Sequence, residues 1–165
     1  MSNDEHNIEN RVWEVVGNAN ICMLVTNAID GPRSRPMEAR PDTKDAAIWF
    51  LTDRRGLKDD EVKAHPHVCL CFIHSAEKAY LSLTGKATVE HDPERARSLW
   101  NKKQEAWWNG PDDPNLLVMR VDLDRAEMWD GPASSAQAAF EFAKARVTGE
   151  KPDLGENRKT TAEFD

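Results

Sequence analysis

The chain has 165 residues, of which 39% are hydrophobic and 31% are charged, and its mean hydropathy is -0.71. These values describe one modest hydrophilic domain, and no stretch approaches the roughly 20 apolar residues that span a bilayer. The 29 acidic and 22 basic side chains give a formal charge of -7, which opposes attraction to nucleic acid phosphates. We therefore expect a cytoplasmic protein that binds neither nucleic acid nor a membrane.

The first third of the chain predicts one helix followed by strands. Apolar residues at helical spacing indicate an amphipathic helix over 8–18. A short apolar run over 20–26 predicts a strand, and residues 33–40 alternate like a second strand, which Pro36 restricts to an edge or an irregular strand. A third strand is predicted over 46–52. Three strands in succession favour an antiparallel meander.

The rest of the chain predicts further strands with helices between them. Gly85 predicts a bulge or bend in a long strand, and Asp92 is the predicted N-cap of a helix that ends near Trp100. The predicted helices cover 57–64, 92–100 and 134–147, and the predicted strands cover 67–73, 79–89, 116–121 and 125–129. Together these elements predict a mainly β domain over 1–147, a small antiparallel barrel with peripheral helices, and an extended or disordered tail over 148–165.

Potential metal ligands are concentrated in one strand. His67, Cys69 and Cys71 alternate on one strand face, with His65 just before them. Structural zinc takes four ligands, commonly as two separated pairs, and the sequence offers no second pair. We therefore expect strand cysteines and no metal. An odd total of three cysteines also fits a reducing compartment better than a disulfide framework.

Standard catalytic motifs are missing from the sequence, but basic residues cluster locally. Arg33 and Arg35 share a predicted strand, Arg54 and Arg55 lie in a turn, and Lys58 opens a short helix. If the second and third strands are neighbours, these groups meet at one end of the barrel and could bind a monophosphate. The alternative is a scattered set of solvated surface charges.

The order of these features resembles the pyridoxamine 5'-phosphate oxidase-like family of FMN-binding split barrels, above all its general stress protein group. The segments that carry the resemblance are RSRPM (33–37), IWFLTDRRGLK (48–58), HPHVCLCF (65–72), AYLSLTGKATV (79–89), WWNGPDDPNLL (107–117) and AEMWDGP (126–132). The resemblance implies an antiparallel split β-barrel that binds FMN, with FAD as the alternative, at a homodimer interface.

The resemblance also implies which residues contact the flavin. Arg35 would face the phosphate, together with Lys58, and Thr52 would hydrogen-bond the flavin. Trp129 would approach the ring from the partner subunit. The full implied set of cofactor-binding residues is Arg35, Pro36, Met37, Phe50, Leu51, Thr52, Lys58 and Trp129.

One segment departs from the family pattern. True pyridoxamine phosphate oxidases carry Arg-Leu-His-Asp-Arg after the tryptophan, where this chain has GPASS (131–135), so oxidation of vitamin B6 is not expected. The leading hypothesis is an oxidoreductase that passes hydride between a small donor and bound flavin. The alternatives are a non-catalytic flavin-binding stress protein and a related barrel that holds deazaflavin or haem, with His65, His67 and His74 as candidate haem ligands.

Overall fold

The computed structural model describes residues 3–56, 58–130 and 158–164, together with positions 144, 146 and 149. Three α-helices, a 3₁₀ helix and eight strands occur in these ranges. In chain order they are α1 (Asn3–Ala19), β1 (Ile21–Ala28), β2 (Gly31–Glu38), β3 (Arg40–Asp42), β4 (Ala47–Asp53), α2 (Lys58–Ala64), β5 (His67–His74), β6 (Ala79–Glu90), α3 (Pro93–Leu99), the 3₁₀ helix (Lys102–Ala106), β7 (Leu116–Asp130) and β8 (Arg158–Glu163). The predicted helix over 134–147 and the GPASS segment fall almost entirely outside the described residues.

The eight strands form one antiparallel sheet, in the order β2-β1-β5-β6-β7-β4-β3, and β8 pairs with β7. The mainly β, antiparallel fold predicted from the sequence is confirmed, as is the edge position of the strand that contains Pro36. The predicted meander is wrong, because β4 pairs with β3 and β7 and not with β2. Residues 47–52 are buried on both faces, which suits an interior strand.

β7 is one continuous strand of 15 residues, where the sequence predicted two. Its first half pairs with β4 and its second half with β8, while β6 runs along its other side. The predicted bend at Gly85 is confirmed, since the register between β6 and β7 shifts between Thr84 and Gly85. Asp122 and Asp124, which lie between the two predicted strands, are exposed residues of the continuous strand.

The core lies between α1 and the inner face of the sheet. Val12, Val15 and Val16 of α1 are fully buried at helical spacing against Phe50, Phe72 and neighbouring aliphatic side chains. A second, smaller cluster lies under α3 and includes Trp49 and Trp100. α3 begins as predicted, with the Asp92 side chain accepting a hydrogen bond from the backbone N–H of Arg95.

The C-terminal segment returns to the domain as β8. It pairs in register with the second half of β7, and the ring of the following Phe164 lies 5.9 Å from the ring of Trp13 on α1. This part of the predicted tail is therefore extended, as a strand of the sheet. The division at residue 147 stays a prediction. Among the described residues, no helix is long and apolar enough to cross a membrane.

Candidate functional site

A cavity of about 580 Å³ opens beside the C-terminal end of β4. Its walls come from the start of β1, the end of β2 with the first residue of β3, the end of β4, and the 3₁₀ helix with the two tryptophans after it. The lining residues are Asn20, Ile21, Pro36, Met37, Glu38, Arg40, Leu51, Thr52, Asp53, Lys103, Gln104, Trp107 and Trp108. The cavity has the size and mixed lining of a cofactor or small-molecule site.

Thr52 provides an unsatisfied hydrogen-bonding group in the cavity wall. The residue is 2% exposed, and its Oγ1 atom has no hydrogen-bond partner within the described part of the chain. A buried hydroxyl without a partner costs free energy in the folded protein, so such groups call for a missing ligand or water. Thr52 thus fits a bound molecule that offers a polar edge.

The part of the wall formed by the 3₁₀ helix is held by side-chain hydrogen bonds. Asn101 and Gln104 form a capping box around the 3₁₀ helix, and the buried Gln104 side chain also donates to Glu38 at 3.2 Å. Glu38 accepts in turn from Arg40 at 3.1 Å. This network holds Trp107, which is 65% exposed, at the mouth of the cavity.

Sequence reasoning did not assign Glu38, Arg40, Lys103 or Gln104 to the site. The Asn101-x-x-Gln104 spacing is a capping-box signal that could have located the helix, but only the fold brings it to the cavity.

Asp53 is the second carboxylate of the cavity. Arg55 binds it through two side-chain hydrogen bonds of 2.8 and 2.5 Å. These bonds to the guanidinium lower the pKa of Asp53 to about 2, against the opposing effect of burial. Asp53 is therefore ionised and paired with Arg55 at neutral pH.

Three of the five basic residues predicted to form a phosphate site are bound to acids in the structure. Arg33 and Arg35 both contact Glu61 of α2, at 3.4 and 2.9 Å, whereas Arg55 contacts Asp53. β2 and β4 are not paired strands, so the condition on which the single cluster was predicted is not met. Arg33 and Arg35 form one cluster with Glu61 of α2, and Arg55 is paired with Asp53 of the cavity lining.

The residues that the resemblance implies as flavin contacts do not all lie at the same place in the structure. Pro36, Met37, Leu51 and Thr52 line the cavity together. Arg35 lies next to this lining on β2, and Lys58 is the first residue of α2, with its side chain outside the described atoms.

The two aromatic positions of the implied set lie elsewhere. Phe50 is fully buried in the main core and does not reach the cavity. Trp129 lies on the second half of β7, beneath the Lys159 ammonium at 5.5 Å, and away from the cavity of its own chain.

The cysteines do not form a metal-binding cluster with other described residues. Cys69 and Cys71 are half-buried on the outward face of β5, with sulfur atoms 3.7 Å apart, and Cys22 is buried. Burial raises the pKa of Cys71 to about 11, so its thiol is protonated at neutral pH. No group of three His, Cys, Asp or Glu residues with metal-binding placement occurs in the described ranges.

An antiparallel sheet with peripheral helices and a cavity beside β4 defines a split β-barrel, and the comparisons place it in a family. Residues 7–153 match the pyridoxamine 5'-phosphate oxidase like family, and the chain belongs to this family. It is 27% identical over 122 residues to general stress protein 26 of Bacillus subtilis, covering 72% of this chain and 86% of that protein.

Solved structures agree with this assignment. A candidate general stress protein 26 of Jannaschia sp. CCS1 superposes with a TM-score of 0.75 at 25% identity, covering 96% of this chain and 99% of that one. The general stress FMN/FAD binding protein of Xanthomonas citri superposes with a TM-score of 0.68 at 25% identity, covering 79% and 92%. The split-barrel fold expected from the sequence is confirmed.

Proposed function

We propose that this chain is a flavin-binding protein that takes FMN in the cavity beside β4, with FAD as the alternative. The observation that carries the proposal is the buried Thr52 hydroxyl, which has no hydrogen-bond partner among the described residues and lies in a wall that also holds Met37 and Leu51. A flavin ring offers an apolar face and a polar edge, which matches this lining. The similar Xanthomonas citri protein is described as FMN/FAD binding, which supports the same ligand here.

The proposed protein is a homodimer, and the outward face of the sheet supports this. Ile21, Met23, Ile73 and Tyr80 are all exposed large side chains, and all lie on the outward face of β1, β5 and β6. Trp129 lies on the same face, opposite Tyr80 in the register. A contiguous apolar face of this kind is typical of an interface, and a second copy would bring a partner's Trp129 towards the flavin.

The proposed activity is that of an oxidoreductase with a small-molecule donor or acceptor in the cytoplasm. Bound flavin supplies the hydride and electron transfer chemistry itself. The chain's residues would hold and orient it: Thr52 through a hydrogen bond, Met37 and Leu51 through packing, and Arg35 and Lys58 through charge. Trp107 at the cavity mouth would limit access of water and substrate.

A direct experiment is the absorption spectrum of the purified protein, followed by chromatography of the released cofactor. Flavin bands and release of FMN are expected. For colourless protein, titration with FMN and FAD should restore the bands. Protein that takes up neither flavin contradicts the proposal.

A non-catalytic flavin binder is the second candidate function. Both carboxylates of the cavity are engaged in ion pairs, Glu38 with Arg40 and Asp53 with Arg55, which leaves neither of them free for proton transfer. Anaerobic mixing of the flavin-loaded protein with NADH or NADPH separates the two candidates. Rapid bleaching supports the oxidoreductase, and persistent colour supports the binder.

A further inference from the structure

The structure places an acidic residue, Glu61, among the residues expected to bind the flavin phosphate. We infer that Glu61 is an internal counter-ion that occupies Arg33 and Arg35 and thereby limits the affinity of this chain for the phosphate of FMN. The inference rests on the proposed function and identifies a residue that controls phosphate recognition at the same site.

Glu61 is bound tightly by three groups from the β1–β2 hairpin. Its side chain is 9% exposed, and its carboxylate accepts from Thr26 Oγ1 at 2.5 Å, Arg35 Nη2 at 2.9 Å and Arg33 Nη1 at 3.4 Å. Arg35 Nη1 also donates to Thr26 Oγ1 at 2.7 Å. The donors of Arg35 that a phosphate would use are therefore directed at Glu61 and Thr26.

The cluster carries no net charge. Arg33 also binds Asp30 at 2.8 Å, so two guanidiniums face two carboxylates. A phosphate dianion that enters this cluster is attracted by the two arginines and repelled by the two carboxylates. The attraction of this cluster for the dianion therefore rises when one of the acids is neutralised or moves away.

Of the two acids, Glu61 has the stronger effect. Asp30 is 63% exposed, in the turn between β1 and β2, so water screens its charge. Glu61 is nearly buried, where charges interact more strongly. It also lies three residues after Lys58 in α2 and contacts Arg35, so it is near one expected phosphate-binding position in the chain and bound to the other.

A purely structural role for Glu61 predicts the opposite sign. If Glu61 only orients the two arginines, its loss disorders them and weakens phosphate binding. If it competes with phosphate, its loss strengthens phosphate binding. The comparison of FMN with riboflavin isolates the contribution of the phosphate to binding, because the two ligands differ only in that group.

The test is the dissociation constant of each ligand for the wild-type full chain and for Glu61→Gln. The ratio of the riboflavin Kd to the FMN Kd should rise about tenfold in the variant, equivalent to about 1.4 kcal/mol. The riboflavin Kd itself should stay within about twofold, because Glu61 does not line the ring cavity. An unchanged or smaller ratio overturns the inference.

The matched control is Glu14→Gln, which removes a carboxylate that binds Arg11 at 2.8 Å on α1, away from the site. Its ratio should equal that of the wild type. Glu61→Ala removes the same charge as Glu61→Gln and should change the ratio in the same direction. If neither Glu61 variant keeps the wild-type circular dichroism, Glu61 is a folding residue and the inference is wrong.

The same titrations separate this inference from the proposed function. A wild-type chain that binds neither FMN nor riboflavin overturns both. A chain that binds both ligands with a ratio that does not depend on Glu61 overturns only the inference. All titrations need one ionic strength, since salt screens these charges.

Discussion

At the residue scale, the two buried threonines of the described chain have opposite environments. Thr52 Oγ1 has no hydrogen-bond partner in the described residues, whereas Thr26 Oγ1 accepts from Arg35 and donates to Glu61. The same substitution at the two positions should therefore have opposite effects on stability. Valine keeps the shape and removes only the hydroxyl.

We expect Thr52→Val to raise the stability of the flavin-free protein by up to about 1 kcal/mol, because it removes an unsatisfied buried polar group. The same variant should bind FMN about fivefold more weakly, because the hydroxyl would bond the flavin. Urea unfolding and flavin titration measure the two effects. Lower stability together with unchanged affinity contradicts this role of Thr52.

Thr26→Val is the matched comparison. It leaves Glu61 and Arg35 each without one hydrogen bond, so it should lower stability by about 1.5 to 3 kcal/mol. Urea unfolding that shows Thr26→Val to be as stable as the wild type would mean that these bonds contribute nothing to the fold.

Asp53 should make the free energy of unfolding depend on pH below about pH 4. Its pKa is lowered to about 2 by Arg55, so the ion pair stabilises the folded state above the unfolded carboxyl pKa and is lost as pH falls from about 4 to 2. Because Arg55 is largely exposed, we expect about 1 kcal/mol.

The wild type should therefore be more stable than Asp53→Asn at pH 6, and this difference should disappear near pH 2. Urea midpoints across this pH range measure it. The control is Asp112→Asn, which opens an exposed pair with Arg97 and should lower the stability at pH 6 by less than Asp53→Asn does. A difference for Asp53→Asn that is constant with pH contradicts the prediction.

At the element scale, the sequence predicted local structure well and strand pairing poorly. The bend at Gly85 and the cap at Asp92 follow from single residues and nearest neighbours, and both are confirmed. The place of β4 between β3 and β7 depends on contacts between residues about 70 positions apart, which no local pattern encodes. The cavity could not be predicted for the same reason, since Thr52 and Trp107 come from segments that are distant in the sequence.

Gly85 of β6, which lies at the register shift against β7, should be intolerant of a side chain. A Cβ atom at Gly85 would overlap the carbonyl oxygen of Asp122 on β7, so backbone would have to move. We expect Gly85→Ala to lower stability by about 2 to 4 kcal/mol. Gly17→Ala in α1 is the control, because nothing lies within 4 Å of its added Cβ, and it should stabilise by up to about 1 kcal/mol. Thermal or urea unfolding that shows equal effects contradicts the steric argument.

At the scale of the whole molecule, the outward face of the sheet is the surface that most affects the proposed function. It combines exposed apolar side chains with Trp129, while the cavity opens near its edge at Ile21 and Pro36. If two copies join through this face, each cavity gains a wall that a single chain lacks. Flavin affinity should then depend on the oligomeric state.

Ile73→Lys places a charge in the centre of this proposed interface, where Ile73 is 62% exposed. Sedimentation should show a dimer for the wild type and a monomer for the variant, because burying an unpaired ammonium costs several kcal/mol. Flavin binding should weaken at least about tenfold in the monomer, since one wall of the site is lost.

Ile29→Lys is the matched control, because Ile29 is fully exposed in the β1–β2 turn and away from the sheet face. It should stay dimeric with unchanged flavin affinity. If the wild type is a monomer and binds flavin as tightly as Ile73→Lys does, one chain holds the cofactor alone. Trp129 of a second copy would then have no place in the site.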